Sequence, residues 1–249
     1  MKSVFSVLWL CILLASCGEE KAVETEDVVE TEKIIQERAE LSDANAQNNL
    51  GNAYWKGDGV PKDKAEAVKW YRKAADQGLA KAQYMLGSAY LLGDGVPQDK
   101  AEAVRWYRKA ADQGYENAQY SLGLRYGLGS GVTKDDEEAV NWYRLAADQG
   151  HANAQNNLGN AYGEGFGVPK DKAEAVKWYR KAADQGDAIA QINLGSSYWY
   201  GKGVPEDKAE ALKWYRKAAD QGDAKAKYHL GIAYWNGEGV SEDKAEALK

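Results

Sequence analysis

Few residues in this chain are of types that could do chemistry, and their spacing decides what they can do. Ser241-Glu242-Asp243-Lys244 sets a hydroxyl one helical turn before an amine, the Ser-x-x-Lys spacing of an acylatable serine. Ser241, however, stands where Pro61, Pro97, Pro169 and Pro205 stand in equivalent positions, and Asp243 belongs to a recurring capping series. No Lys-Thr-Gly or Ser-Asp-Asn motif completes the set. Gly163-Glu164-Gly165-Phe166-Gly167 has the glycine density of a phosphate cradle, but it falls between two helices with no strand before it. Asp58 and Asp63 offer carboxylates to calcium at a spacing that is not an EF-hand loop. His151 reads as a surface residue, and His229 stands alone on its helix with no nucleophile or orienting acid in a matching position. Two cysteines, Cys11 and Cys17, cannot build a zinc cluster or a disulfide framework. The expectation is a protein without catalytic residues, metal or cofactor.

These residues sit on an element that recurs. Leu50-Gly51 returns as Leu86-Gly87, Leu122-Gly123, Leu158-Gly159, Leu194-Gly195 and Leu230-Gly231, each step being 36 residues. Trp70-Tyr71 returns at Trp106-Tyr107, Trp142-Tyr143, Trp178-Tyr179 and Trp214-Tyr215. A fixed period of this size marks a solenoid. Each repeat reads as two helices, A and B. In the first, Ala46, Leu50, Ala53 and Tyr54 make an apolar stripe at helical spacing, beside which Gly51 lets a neighbouring helix approach closely. Helix A stops at Gly57-Asp58-Gly59, Val60 plugs the pair, and Pro61 prevents continuation. Asp63 caps helix B with Glu66 as its capping-box partner, and the pair recurs as Asp99/Glu102, Asp135/Glu138, Asp171/Glu174, Asp207/Glu210 and Asp243/Glu246. Helix B carries Ala67, Val68, Trp70, Tyr71, Ala74 and Ala75 and ends at Gly78. One such pair cannot bury its stripe, whereas stacked pairs can.

The motif Ala46-Gln47-x-x-Leu50-Gly51-x-x-Tyr54-x-x-Gly57-x-Gly59-Val60-x-x-Asp63, followed by Ala67-x-x-Trp70-Tyr71-x-x-Ala74-Ala75-x-Gln77-Gly78, resembles the Sel-1-like repeat family of the tetratricopeptide superfamily. The resemblance covers residues 44–249, as 44–79, 80–115, 116–151, 152–187, 188–223 and a partial 224–249. It implies an all-α, right-handed α/α superhelical solenoid of about six 36-residue repeats that presents surfaces to other proteins. Members often act as adaptors or as envelope and secretion factors, some as outer-membrane lipoproteins in polysaccharide export. A cysteine-rich branch is associated with β-lactamase activity, but its paired cysteines are missing here.

Variation between repeats falls on one face of helix A. Residues spaced +3, +4, +3 from Asn45 point away from Leu50, and in tetratricopeptide-like arrays this face lines the concave groove. The residues expected to bind a partner are Asn45, Asn48, Asn52 and Trp55, then Tyr84, Tyr120, Asn153, Asn156, Asn160, Ile192, Trp199, Tyr228 and Trp235. Asn amides can bond an extended backbone as donor and acceptor, while exposed Tyr and Trp supply affinity.

The N-terminus reads as an address. Lys2 precedes an apolar run from Val4 to Leu14, a signal-peptide core shorter than the about 20 residues that span a bilayer. Leu14-Ala15-Ser16-Cys17 resembles the lipobox of bacterial lipoproteins; an ordinary secretory signal is the other reading. The lipobox implies removal of residues 1–16, acylation of Cys17, and a mature chain with no thiol. Gly18, in place of the Asp that retains such proteins at the inner membrane, implies a lipid anchor in the outer membrane facing the periplasm. Residues 17–26 then form a tether, and residues 27–43 a degenerate helix B that caps the array. Residues 18–43 carry ten acids and three bases, whereas residues 44–249 balance 28 against 28, so no basic excess exists for nucleic acid.

The leading expectation is a non-catalytic, membrane-anchored scaffold that binds protein or peptide segments in the envelope through helix A. A cell-wall or polysaccharide binding or export factor is the alternative, and a β-lactamase-like hydrolase a weaker one. The C-terminal end has no cap, so it is either truncated or a docking face, possible self-association included.

Overall fold

The computed structural model describes residues 43–247, and every regular element among them is a helix. The signal peptide, Cys17, the tether and the capping helix expected before Asp43 lie outside the described residues. The first repeat holds α1 (Ala44–Lys56) and α2 (Lys64–Asp76). The series continues with α3 (Ala80–Leu92), α4 (Lys100–Asp112), α5 (Glu116–Leu128), α6 (Asp136–Asp148), α7 (Ala152–Glu164) and α8 (Lys172–Asp184). It closes with α9 (Ala188–Trp199), α10 (Lys208–Asp220), α11 (Ala224–Asn236) and the short α12 (Lys244–Ala247). Odd-numbered helices are A helices and even-numbered ones B helices. Of the described residues, those up to Gln98 form one compact body and those from Asp99 a second, so α1–α3 belong to the first and α4–α12 to the second. No helix among the described residues is long and apolar enough to cross a membrane.

The turns follow from a few residue types. Gly57 takes the left-handed conformation at φ 86°, and its N–H bonds the Ala53 carbonyl, which ends α1 without a Cβ penalty. Val60 then drops into the core. Asp63 Oδ1 accepts from the Glu66 N–H at 3.0 Å, and Asp99, Asp135, Asp171, Asp207 and Asp243 cap their helices likewise. The reciprocal half of the expected capping box is not formed. The Asp63 N–H instead donates to the Tyr54 carbonyl at 2.9 Å, and Asp135, Asp171, Asp207 and Asp243 do the same to Tyr126, Tyr162, Tyr198 and Tyr234. The turn carries this N–H back onto the end of helix A, so the donor is already satisfied. The glutamates are thereby released: Glu66 pairs with Lys69, while Glu138 and Glu210 accept from Trp142 and Trp214 Nε1.

In the first, third, fourth and fifth repeats, helix B lays its Tyr against the Gly of helix A. A Cβ on Gly51 would lie 2.7 Å from the Tyr71 ring, and one on Gly123 or Gly159 2.6 Å from Tyr143 or Tyr179. Trp70, Trp106, Trp142, Trp178 and Trp214 are buried with Leu50, Leu86, Leu122, Leu158 and Leu194. Between successive repeats the joint is polar and satisfied. Buried Gln83, Gln119, Gln155 and Gln191 donate Nε2 to the carbonyls of Ala75, Ala111, Ala147 and Ala183 at the end of the preceding helix B. Gln149, Gln185 and Gln221 then donate to the Oε1 of Gln119, Gln155 and Gln191. Leaving such a buried amide unmet costs about 1–3 kcal/mol, so the glutamines fix the stacking register. A second staple runs from Arg144 of α6 to Tyr162 Oη of α7 at 2.7 Å, with counterparts at Arg72–Tyr90, Arg108–Tyr126, Arg180–Tyr198 and Arg216–Tyr234.

Candidate functional site

The helix A face expected to bind is partly consumed by the packing of the array. Asn48 and Asn156 are buried, not presented to solvent. Asn156 Oδ1 accepts from Asn193 Nδ2 of the next helix A at 2.8 Å, so this position faces a neighbouring helix. Asn48 Oδ1 has no hydrogen-bond partner among the described residues. Asn52 and Asn160 accept the Tyr71 and Tyr179 hydroxyls at 2.9 and 2.8 Å. Their carbonyl oxygens are thus taken, and the amide hydrogens remain for an outside acceptor. Asn45 and Asn153 are exposed. Trp55 and Trp199 are half-buried, tilted over Tyr71 and Tyr215 at 6.1 and 6.2 Å between ring centres, with the ammonium groups of Lys64 and Lys208 above them. Tyr84, Tyr120 and Ile192 are also half-buried, while Tyr228 and Trp235 are exposed on α11.

Both histidines have structural work, which for His151 corrects its reading as a surface residue. His151 Nδ1 accepts the Ala154 N–H and caps α7, its ring stacked 4.6 Å from Tyr120. His229 stacks 4.7 Å from Tyr215. Burial holds both imidazoles below their ordinary range, so both are neutral near pH 7. Burial also pushes the Tyr143 and Tyr179 hydroxyls up to about 12, keeping them as neutral donors. The Ser241–Lys244 pair does not assemble a nucleophile: Lys244 bonds Glu242 at 3.1 Å and lies 5.5 Å from the Trp235 ring. No group of acids, histidines and cysteines that could hold a metal occurs among the described residues.

A feature missed at the level of sequence lies one turn beyond the asparagines. The position of Trp55, Leu91, Trp199 and Trp235 holds Gly127 in the third repeat and Gly163 in the fourth. Neither glycine has a positive φ, so the backbone does not require it, and glycine there costs up to about 1 kcal/mol against alanine. Where the large side chain would lie, two clefts open. One, of about 220 Å³, is lined by Leu124, Leu128, Val140, Tyr143 and Phe166. The other, of about 330 Å³, is lined by Lys170, Lys172, Lys202, Tyr179, Asn193 and Ser196. The register that reveals repeats also contained this signal, as glycine aligned with tryptophan.

Tandem A and B helices, closed by recurring Tyr-on-Gly contacts and joined by buried glutamines, define a helical-repeat solenoid whose variable surface is the A helix. The chain belongs to the Sel1 repeat family, which matches residues 44–79, 80–115, 117–151, 152–187, 188–223 and 224–249. Such proteins are in general interaction scaffolds for other proteins, and generally non-catalytic. Among solved structures, a protective antigen of uropathogenic Escherichia coli strains, described as displaying an SLR fold, is 44% identical with a TM-score of 0.85. The alignment covers 87% of this chain and 46% of that one, so the chain spans under half of that protein's length. A Sel1 repeat protein from Oxalobacter formigenes is 36% identical with a TM-score of 0.78, over 91% of this chain and 93% of the other. An immunity protein of Pseudomonas aeruginosa is 25% identical with a TM-score of 0.50, over 82% and 78%. Among curated proteins, none matches the chain.

Proposed function

We propose that the chain is a non-catalytic scaffold that binds protein segments on its A helices, held at the periplasmic side of the bacterial outer membrane by acylated Cys17. The observation that carries the binding reading is where apolar surface is exposed. Leu92, Leu128, Ile189, Tyr200, Tyr228, Ile232 and Trp235 belong to A helices or their last turn, and Phe166 follows one. Among the large apolar residues exposed in the described chain, Leu145 alone is on a B helix. B helices instead show lysines that pair with acids or cover tryptophans, as Lys177 does with Glu174 and Lys181 with Trp178. Exposed apolar patches of this kind mark interaction surfaces. The anchor rests on Leu14-Ala15-Ser16-Cys17.

In-cell crosslinking followed by mass spectrometry tests both parts. Crosslinks from A-helix positions to one protein, weakened by Ile189→Glu and Trp199→Ala but not by Lys177→Ala with Lys181→Ala, are expected. Retention on cell-wall glycan with the same sensitivity would transfer the face to a polysaccharide ligand. Cys17→Ser should release the protein from membranes or leave it unprocessed; normal attachment of that variant would refute the anchor.

A further inference from the structure

We propose that the clefts opened by Gly127 and Gly163 form one site for a peptide segment in which a bulky apolar side chain adjoins an acidic one. The inference rests on the scaffold reading and names the chemistry of the segment.

Both clefts lie in the second compact body and meet at Asn160. This residue lines the apolar cleft, and its Oδ1 accepts from Tyr179 and, at 3.4 Å, from Asn193, which line the other. The first cleft is mainly apolar because Leu128 and Phe166, both exposed, join Val140 and Leu124 in its lining, and its one carboxylate, Asp136, is met by Lys134 at 2.8 Å. At the register position of Leu128 stand Lys56, Leu92, Glu164, Tyr200 and Asn236 elsewhere, and at that of Phe166 stand Asp58, Asp94, Ser130, Lys202 and Glu238. Phe166 is thus the one apolar residue in its register, and with Leu128 it places apolar surface at the rim of the Gly127 cleft.

The second cleft is cationic because an ion pair found elsewhere in the array has been replaced by two cations. The first residue of helix B faces the turn of the next repeat, where a Cβ on Gly95, Gly203 or Gly239 would meet the backbone or Cβ of Lys64, Lys172 or Lys208. In that register Lys64 pairs with Asp94 and Lys208 with Glu238, each at 2.7 Å. The corresponding pair here is Lys172 and Lys202, two like charges lining one cleft. Lys170 joins them and is met by Glu164 at 3.5 Å, the one carboxylate in the lining. A cleft with three lysines, one acid and the amide of Asn193 calls for an anion, and its position beside an apolar slot calls for an anion on a chain that also carries an apolar group.

The test is selection of a random peptide library on the full chain, then titration of the selected peptides against variants. Enrichment of an acidic residue beside Leu, Ile, Phe or Trp is expected. Gly127→Trp, which restores the residue type that the first and fifth repeats carry, should weaken the selected peptides at least ten-fold. Lys202→Glu, which restores the ion pair, should weaken them similarly and remove most of the salt dependence. Circular dichroism and melting establish that both variants fold; should Gly127→Trp fail there, Gly127→Leu, the residue type of the second repeat, serves instead. Peptides that bind but ignore both changes, while responding to Ile189→Glu or Trp199→Ala, would overturn this site and leave the scaffold reading standing. No enriched peptide at all would overturn both. Displacement by inorganic phosphate, but not by chloride at equal ionic strength, would assign the cationic cleft to a phosphate group and refute the acidic segment.

Discussion

The fifth repeat and the third share the Trp-Tyr and Ala-Ala core of helix B and end their A helices differently. In the fifth, Trp199 folds over Tyr215, Lys208 covers the Trp ring, and Lys208 is in turn held by Glu238. In the third, Gly127 leaves the corresponding Tyr143 facing a cleft rimmed by Leu128 and Phe166. Beneath both, the buried Trp donates to the first-turn glutamate, Trp142 to Glu138 and Trp214 to Glu210. The comparison separates two kinds of conservation within one chain: the B helix is repeated because it is the core, and the end of the A helix changes because nothing in the core depends on it.

The largest effect should test whether the open repeat is as firmly packed as the closed one. Trp142→Ala and Trp214→Ala should each cost about 3–5 kcal/mol in urea denaturation. In an array whose repeats contact only their neighbours, the loss could divide unfolding into two transitions. A much smaller loss at Trp142 than at Trp214 would mean that the third repeat is loosely packed and its cleft not preformed.

An intermediate effect contrasts two glycines of one helix. A Cβ on Gly123 would lie 2.6 Å from the Tyr143 ring, whereas one on Gly127 would meet Ala139 Cβ and Tyr143 Oη at 3.6 Å. Gly123→Ala should therefore cost about 1–3 kcal/mol through overpacking. Gly127→Ala should stabilise by up to about 1 kcal/mol, because alanine is the better helix former and finds room. Thermal melts of the two variants should shift in opposite directions. A destabilising Gly127→Ala would contradict the assignment of that glycine to space for a ligand.

The smallest effect concerns α7, which carries Gly163 in its last turn. Its cap, His151, has a folded pKa below the ordinary imidazole value of 6.5, chiefly through burial. The unfolded chain therefore binds the proton more readily, and stability is complete above about pH 6.5 and falls as pH drops below it. Protonation also turns Nδ1 from acceptor to donor and removes the cap on Ala154. His229 adds a slope of the same sign, so the readout is the difference between wild type and His151→Asp, the residue type that caps α9 at Asp187. The variant should lose part of the fall in melting temperature between pH 8 and pH 5; an unchanged slope would show that His151 does not sense pH.

The sequence alone determined the period, the two-helix unit and the Gly-ended turns, because these depend on local propensity and on spacing repeated several times over. Leu50-Gly51 and Trp70-Tyr71 announce which faces are buried, and Asp63 announces where helix B begins. The tertiary structure decided what the remaining polar residues do. Asn48 and Asn156 occupy the position three residues after Asn45 and Asn153, yet both are buried, Asn156 because Asn193 of the next helix A bonds it, a contact that no single helix can show. The Asp63 N–H goes to Tyr54 and not to Glu66 because the path of the turn, and not the spacing, chooses the acceptor. Gly163 and Lys202 lie far apart in sequence and line one cleft, since stacking one repeat on the next is what brings the end of one helix A beside the turn of another.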